Sequence, residues 1–443
     1  MPSSDESPAI KTLKKQCQEG LDSARQMRSR PIENAQFTGY TIETANEAPI
    51  GRARAMQQEL RLAEYFKSSA WALIYASNEY QKGVHAMINM PSYVQRSIKP
   101  TAISCLCSAV MYEQRGVTVI LDDVMFEMRA NGAWPDAGAK KVLEEASKRL
   151  STSAWDSVRP ALDVTVKSWI VTGFQHFMLC RFDTAVAFYH SAFDVLLSGQ
   201  DIWKDVSPAD RGHIFDMTFV RGVKRIYMLA LFEAFASGGK LNSAYKFEEI
   251  LQLAHEIIAE VKANPPEPGN TYDPAFVCSF WDNTLGDAYS MLGYHNLETG
   301  QLPSMKAKKA QKHFMEAAKY YLQAAEAYPK DDERHVQFLS VAIQAYWRRG
   351  TPLRLTHLLS ERMCEDKALA EGIWLTQLTT KVSWIIEKVV EFKEECDKAI
   401  AKGKMNLDDI VQPECMNSVE ESPGAFSLYK GIYHWKWKVY KTR

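Results

Sequence analysis

Absences narrow the chemistry of this 443-residue chain before any positive feature does. It contains no G-x4-G-K-[ST] loop and no G-x-G-x2-G turn, so neither common phosphate cradle is available. Its eight cysteines include no C-x2-C pair. Cys105 and Cys107 are the closest two, a spacing that does not suit a usual zinc loop, and buried free thiols are the expectation. His255 and Glu256 begin an H-E pair, but Ala259 stands where a zinc helix needs its second histidine. No serine or cysteine lies in a recognisable nucleophile context. An N-terminal hydrophobic signal, an apolar run of about 18 residues and an N-x-[ST] acceptor are all missing, so cytoplasm or nucleus is expected, with no membrane span. A net charge of −1 creates no global field for nucleic acid or anionic membrane. No catalytic residue, metal or cofactor is expected.

The residues that are present favour helices. Hydrophobic residues make up 46% and charged residues 24%, enough to bury a large core. Residues 1–50 open with Ser3, Ser4, Asp5, Glu6 and Ser7 and show little periodicity beyond a short basic helix candidate, so a flexible or partly helical segment is expected. Residues 51–160 are expected to be helical. There Leu60, Leu62, Ala63, Phe66, Ala70, Leu73 and Ile74 fall on one candidate buried face, and 97–115 makes a candidate partner helix. Asp136, Ser207-Pro208 and Asp273-Pro274 carry helix-start chemistry. The run Asn264 to Asn270, rich in proline, cannot be helical and reads as a long loop between hairpins.

The most informative constellation is Trp169, Gly173, Ala185, Tyr189 and Ala192. Two antiparallel helices approach closely only where side chains are small, so Gly173 and Ala185 are placed at the contact and Phe182 at the turn. Tyr189 and Ala192 should face the next layer. Leu285, Gly286 and Tyr289 repeat the first-helix pattern, and Ala317, Tyr321, Ala324 and Pro329 the second. The interval from Gly286 to Ala317 is 31 residues against 12 in the first unit, which longer helices would explain. Ala342, Tyr346 and Gly350, then Thr351 and Pro352 as cap and first-turn proline before Leu355 and Leu359, begin a further unit; Leu231, Phe235, Gly239, Ala244 and Leu251 make a weaker one. These offsets resemble the tetratricopeptide repeat family, partially, since Thr172 and His176 replace its usual Leu and Tyr.

The resemblance implies an all-α, right-handed α-solenoid of antiparallel helix hairpins over residues 161–366, closed by capping helices and an aromatic, basic tail in 367–443. It also implies a concave groove that holds a segment of a protein partner. The family's groove positions fall on Lys167, Ile170, Phe174, Phe177 and Met178, then Asn283, Asp287, Ser290 and Met291, then Ser340, Gln344, Trp347 and Arg348. Ile170 and Phe174 stand where chaperone-binding members carry Lys and Asn, which disfavours chaperone C-terminal tails. A non-catalytic interaction scaffold or adaptor is therefore the leading reading.

Two alternatives remain open on sequence. Asp122, Asp123 and Glu127 form a D-D-x3-E run similar to the magnesium motif of class I terpene synthases, but the second motif is missing, and a solvated acidic face is the simpler reading. Lys430, Lys436, Lys438, Lys441 and Arg443 lie among Phe426, Tyr429, Tyr433, Trp437 and Tyr440, either docked on the last layer as a helix or available to a peptide or nucleic acid, as in an RNA or chromatin adaptor. The same end alternates through 434–439, as a strand would. Trp374 to Ile400 reads as an amphipathic terminal helix.

Overall fold

The computed structural model describes residues 48–88, 102–115, 124–237, 244–267, 272–374, 379–413 and 437–440. The chain separates into two compact units, 1–47 and 48–443, and every described residue belongs to the second. The described residues of that unit are helical apart from connecting segments and one short ladder, and besides single turns at Pro208–Arg211, His213–Phe215, Pro274–Val277 and Cys278–Asp282 they form fourteen longer helices. In chain order they are α1 (Pro49–Leu62), α2 (Ser69–Ile88), α3 (Ala102–Tyr112), α4 (Val124–Ala130), α5 (Ala139–Leu150), α6 (Trp155–Met178), α7 (Phe182–Ile202), α8 (Met217–Ser237), α9 (Phe247–Ala263), α10 (Asn283–Gly300), α11 (Ala307–Ala327), α12 (Glu333–Arg349), α13 (Leu353–Trp374) and α14 (Thr379–Ala401). The ladder pairs β1 (Ile410–Pro413) antiparallel with β2 (Trp437–Tyr440), in register from Ile410 opposite Tyr440 to Pro413 opposite Trp437. Among the described residues no helix is long and apolar enough to cross a membrane.

Short connections make sequential helices antiparallel neighbours. Residues 179–181 join α6 to α7, and 350–352 join α12 to α13, where Gly350 ends α12 in a left-handed conformation at φ 77°. That backbone is one a side-chain-bearing residue adopts reluctantly, hence a glycine C-cap. Asp332 starts α12 by accepting the Arg334 amide at 2.8 Å. Ser207 and Asp273 cap single helical turns through Asp210 N and Ala275 N as expected, but α5 starts at Gly138 with no side-chain cap. Thr351 does not cap α13 either. The 407–409 segment does so, its Leu407 and Asp409 carbonyls accepting the Arg354 and Leu353 amides at 2.7 and 2.9 Å.

The matched residues lie at helix contacts. Trp169, Ala185, Tyr189, Ala192, Ala317, Tyr321 and Ala324 are buried, as are Tyr289 and Pro329, and Leu285 packs half-buried against the same core. A Cβ on Gly173 would stand 2.6 Å from the Tyr189 ring, so Tyr189 fills the inside of its own hairpin instead of facing the next layer. Between α10 and α11 the device repeats three times. Gly286, Gly293 and Gly300, two turns apart, receive Tyr328, Tyr321 and Phe314, and a Cβ at each would meet ring carbon at 2.4, 2.8 and 2.7 Å. The long interval does not come from longer helices, since α10 and α11 have 18 and 21 residues against 24 and 21 in α6 and α7. Gly286 stands near the start of α10, opposite Ala324 and Tyr328 at the far end of α11, whereas Gly173 stands near the end of α6.

Around the ends, expectation and structure part. Leu62, Ala63 and Phe66 are exposed, where α1 ends and residues 63–68 turn, with Glu64 at φ 51°, before α2 starts at Ser69. Cys180 is exposed at the α6–α7 turn, whereas Cys107, Cys278 and Cys396 are buried as expected. Of the C-terminal aromatic stripe, Trp437 to Tyr440 form a strand, so the helical reading fails there and the alternation was the better guide. Phe426 to Lys436, Lys441 and Arg443 lie outside the described residues, as do Asp122, Asp123 and Gly239.

Candidate functional site

The expected groove positions are mostly interior. Ile170 and Phe174 are fully buried, and Lys167 on the same face pairs with Asp163 at 2.8 Å and donates to Ser104 of α3 at 3.2 Å. The cause is α3 itself, which lies against α6 and covers the face a concave groove would leave open. Phe177 is half-buried against Phe182, at 5.3 Å between ring centroids, and of this group Met178 alone is well exposed. Asn283, Asp287, Ser290, Met291, Ser340 and Trp347 are buried, while Gln344 and Arg348 are half-buried. None of the buried ones can line an open groove.

Asp287 shows why. Its carboxylate accepts from Arg225 Nε of α8 at 2.6 Å, from Arg334 of α12 at 3.0 Å and from the Tyr328 hydroxyl at 2.5 Å. Burial alone would raise this carboxyl, but Arg225 and Arg334 override it and hold the group below its ordinary range. A residue expected to greet a partner instead ties three layers together.

Arg334 belongs to a run that sequence reasoning missed: Asp331, Asp332, Glu333, Arg334 and His335. Between them the side chains reach several other elements. Asp331 accepts from the Ser68 hydroxyl at 2.5 Å and the Ser69 amide at 2.9 Å, at the start of α2. Asp332 and Glu333 take Arg115, at 2.7 and 3.0 Å, and Arg115 also binds Glu113 at 2.8 Å and stacks 3.9 Å above Trp374. His335 bridges the Ala325 carbonyl at 2.7 Å and Asp366 of α13 at 2.9 Å. Burial raises Asp331, whereas Glu113, which burial would also raise, is drawn below its usual value by Arg115. With each carboxylate already engaged by a cation, hydroxyl or amide, the run serves as a junction that fastens the start of α2 and the end of α3 to the later helices.

Glu127 departs from the solvated reading of the acidic motif. It is buried, its Oε2 accepts the Ile103 amide at 3.0 Å at the start of α3, and burial raises its carboxyl. This is a cap on a helix start, with the other oxygen left without a partner. His255 is exposed and Glu256 pairs with Lys224 at 3.0 Å. Among the described residues no group of three His, Cys, Asp or Glu is placed to hold a metal.

One open cleft stands out, of about 590 Å³ between α5 and α7. Ala139, Leu143 and Ser147 form one wall and Asp194, Ser198 and Ile202 the other, with Lys140 and Glu144 beside the first. Both walls repeat at intervals of four residues, so each is one face of a helix. The sequence carried this signal in both intervals, but Asp194 to Ile202 lies on the opposite side of α7 from the repeat-matching residues. Comparison with protein-family models, curated proteins and solved structures finds no match to this chain.

Proposed function

We propose that the chain is a non-catalytic protein-interaction scaffold or adaptor, a right-handed solenoid of tetratricopeptide-like hairpins acting in the cytoplasm or nucleus. Its partner surface is not the set of groove positions that the family offsets mark, since α3 fills part of that face. The supporting observation is the apolar surface left exposed on the α6–α7 hairpin and on α13. Met178 and Leu179 at the α6–α7 turn are 50% and 57% exposed, Leu197 and Ile202 on α7 are 43% and 52%, and Leu358 on α13 is 60%. Grouped exposed apolar residues mark binding surfaces more often than isolated ones do. The test is purification of the tagged full-length chain from its native cell, followed by reconstitution of any stoichiometric partner from purified components. A reconstituted complex of defined stoichiometry is expected. Failure to recover one, together with substrate turnover by the purified chain, would sink the scaffold reading.

A further inference from the structure

We propose that the α5/α7 cleft receives one amphipathic helix of a partner protein, with a lysine or arginine beside its apolar stripe. This rests on the scaffold reading and deepens it. Each wall spans eight residue steps, about 12 Å at 1.5 Å per residue, which is a little over two turns of an opposing helix. The walls are rigid because each helix is fixed from behind, α5 by buried Val142 and Ala146 and α7 by buried Val195 and Leu196. Small Ala139, Ser147 and Ser198 leave room for close approach of a backbone, while Leu143 and exposed Ile202 supply apolar contact. Helix in groove is the recognition mode that two such walls permit.

Charge selects the occupant. Asp194 faces the cleft as a half-exposed carboxylate paired with His190 at 3.0 Å, and burial raises it although His190 opposes. Glu144 stands on the other wall, in a loose pair with Lys140 at 3.9 Å. A cation from the occupant would gain a charge-assisted bond to the partly dehydrated Asp194, and an acidic helix would be repelled.

The experiment places a benzophenone amino acid at Ser198 of the full-length chain in its native cell, irradiates, and identifies the cross-linked peptide by mass spectrometry. The expected peptide belongs to another protein, repeats apolar residues every three or four positions and carries Lys or Arg within one turn of them. A synthetic copy should then lose at least tenfold in affinity for Asp194→Lys by fluorescence anisotropy and regain it when its own cation is changed to Glu. Circular dichroism and Asp194→Asn check that the variants fold. Cross-links to a second copy of this chain, to lipid or to an acidic or non-helical segment would overturn the proposal, as would an ineffective charge swap or no cross-link. If a stoichiometric partner still copurifies while Ser198 gives no cross-link, the cleft assignment fails and the scaffold reading stands.

Discussion

Replacing Gly286 by alanine tests the packing of the long hairpin. A Cβ there would lie 2.4 and 2.5 Å from the Tyr328 ring and 3.2 Å from the Ala324 carbonyl oxygen. The ring cannot easily retreat, because its hydroxyl is held between Asp287 at 2.5 Å and Arg334 at 2.7 Å. Overpacking of this kind costs about 1–3 kcal/mol, and displacing the hydroxyl from charged partners costs about 1.5–3 kcal/mol more. Against this, alanine in a helix gains about 1 kcal/mol over glycine, leaving a net loss of about 1.5–5 kcal/mol. Two other glycines calibrate the result. Gly173→Ala meets the Tyr189 ring at 2.6 Å, but the Tyr189 hydroxyl has no partner and the ring is freer to shift, so overpacking less the same helix gain leaves a net loss of about 0–2 kcal/mol. Gly372→Ala meets nothing within 4 Å on an exposed part of α13 and should stabilise by about 0.5–1 kcal/mol. Urea unfolding followed by far-UV circular dichroism, with midpoints compared at constant slope, gives the order directly. If Gly286→Ala unfolds at or above the parent midpoint, or Gly372→Ala is as harmful, the close-approach reasoning is wrong.

Arg115→Met should destabilise by about 3–5 kcal/mol in thermal or urea unfolding, since buried Glu113 and Asp332 lose the cation that stands 2.8 and 2.7 Å away. Glu113 is held below 4.5 in the folded state, so this contribution is complete above that pH and is lost on acidification, and the gap between variant and parent should narrow in acid. Asp282 behaves oppositely: burial lifts it from 3.8 to about 6 despite the Lys67 field, so the folded state binds the proton more tightly and stability falls as pH rises through that window. Asp282→Asn should therefore stabilise by about 1–3 kcal/mol at neutral pH, after allowance for its partial exposure, and leave stability unchanged below about 3.8, as unfolding at several pH values would show. Magnesium with a prenyl diphosphate should give neither diphosphate release nor a thermal shift, because Glu127 is spent on the start of α3; release that disappears in Asp122→Ala would overturn the non-catalytic reading.

Much of the helical framework was legible because it rests on local rules. Gly173 and Ala185 mark a close contact through size alone, and a left-handed Gly350 ends a helix whatever lies beyond it. The ladder of Gly286, Gly293 and Gly300 against Tyr328, Tyr321 and Phe314 was written in the sequence as two matching seven-residue spacings, of which only Gly286 and Tyr321, from different rungs, were read as packing positions. Leu62 and Phe66 were misplaced by carrying one helical phase across a break. Other features leave no local trace. Asp331, Asp332, Glu333 and Arg334 look like an ordinary wet turn until Ser68, Arg115 and Asp287 arrive from 263, 217 and 47 residues away.

The misplaced groove has the same origin. A residue's offset within a repeat fixes the direction in which it points on its helix, and Lys167, Ile170 and Phe174 do share the expected face. What meets that face is decided by other parts of the chain. Here α3 reaches it, and Arg115, just beyond the end of that helix, is clamped by Asp332 and Glu333 at one end of α12. The charged run and the filled face are therefore two sides of one arrangement. A buried ion pair contributes little net stability, but it penalises any packing in which Arg115 misses its carboxylates, and so it favours α3 in one position. With that position taken from within, the apolar side chains left in solvent lie elsewhere, among them Ile202, Leu197 and Met178 on α6 and α7, and on the scaffold reading proposed above a partner would meet these.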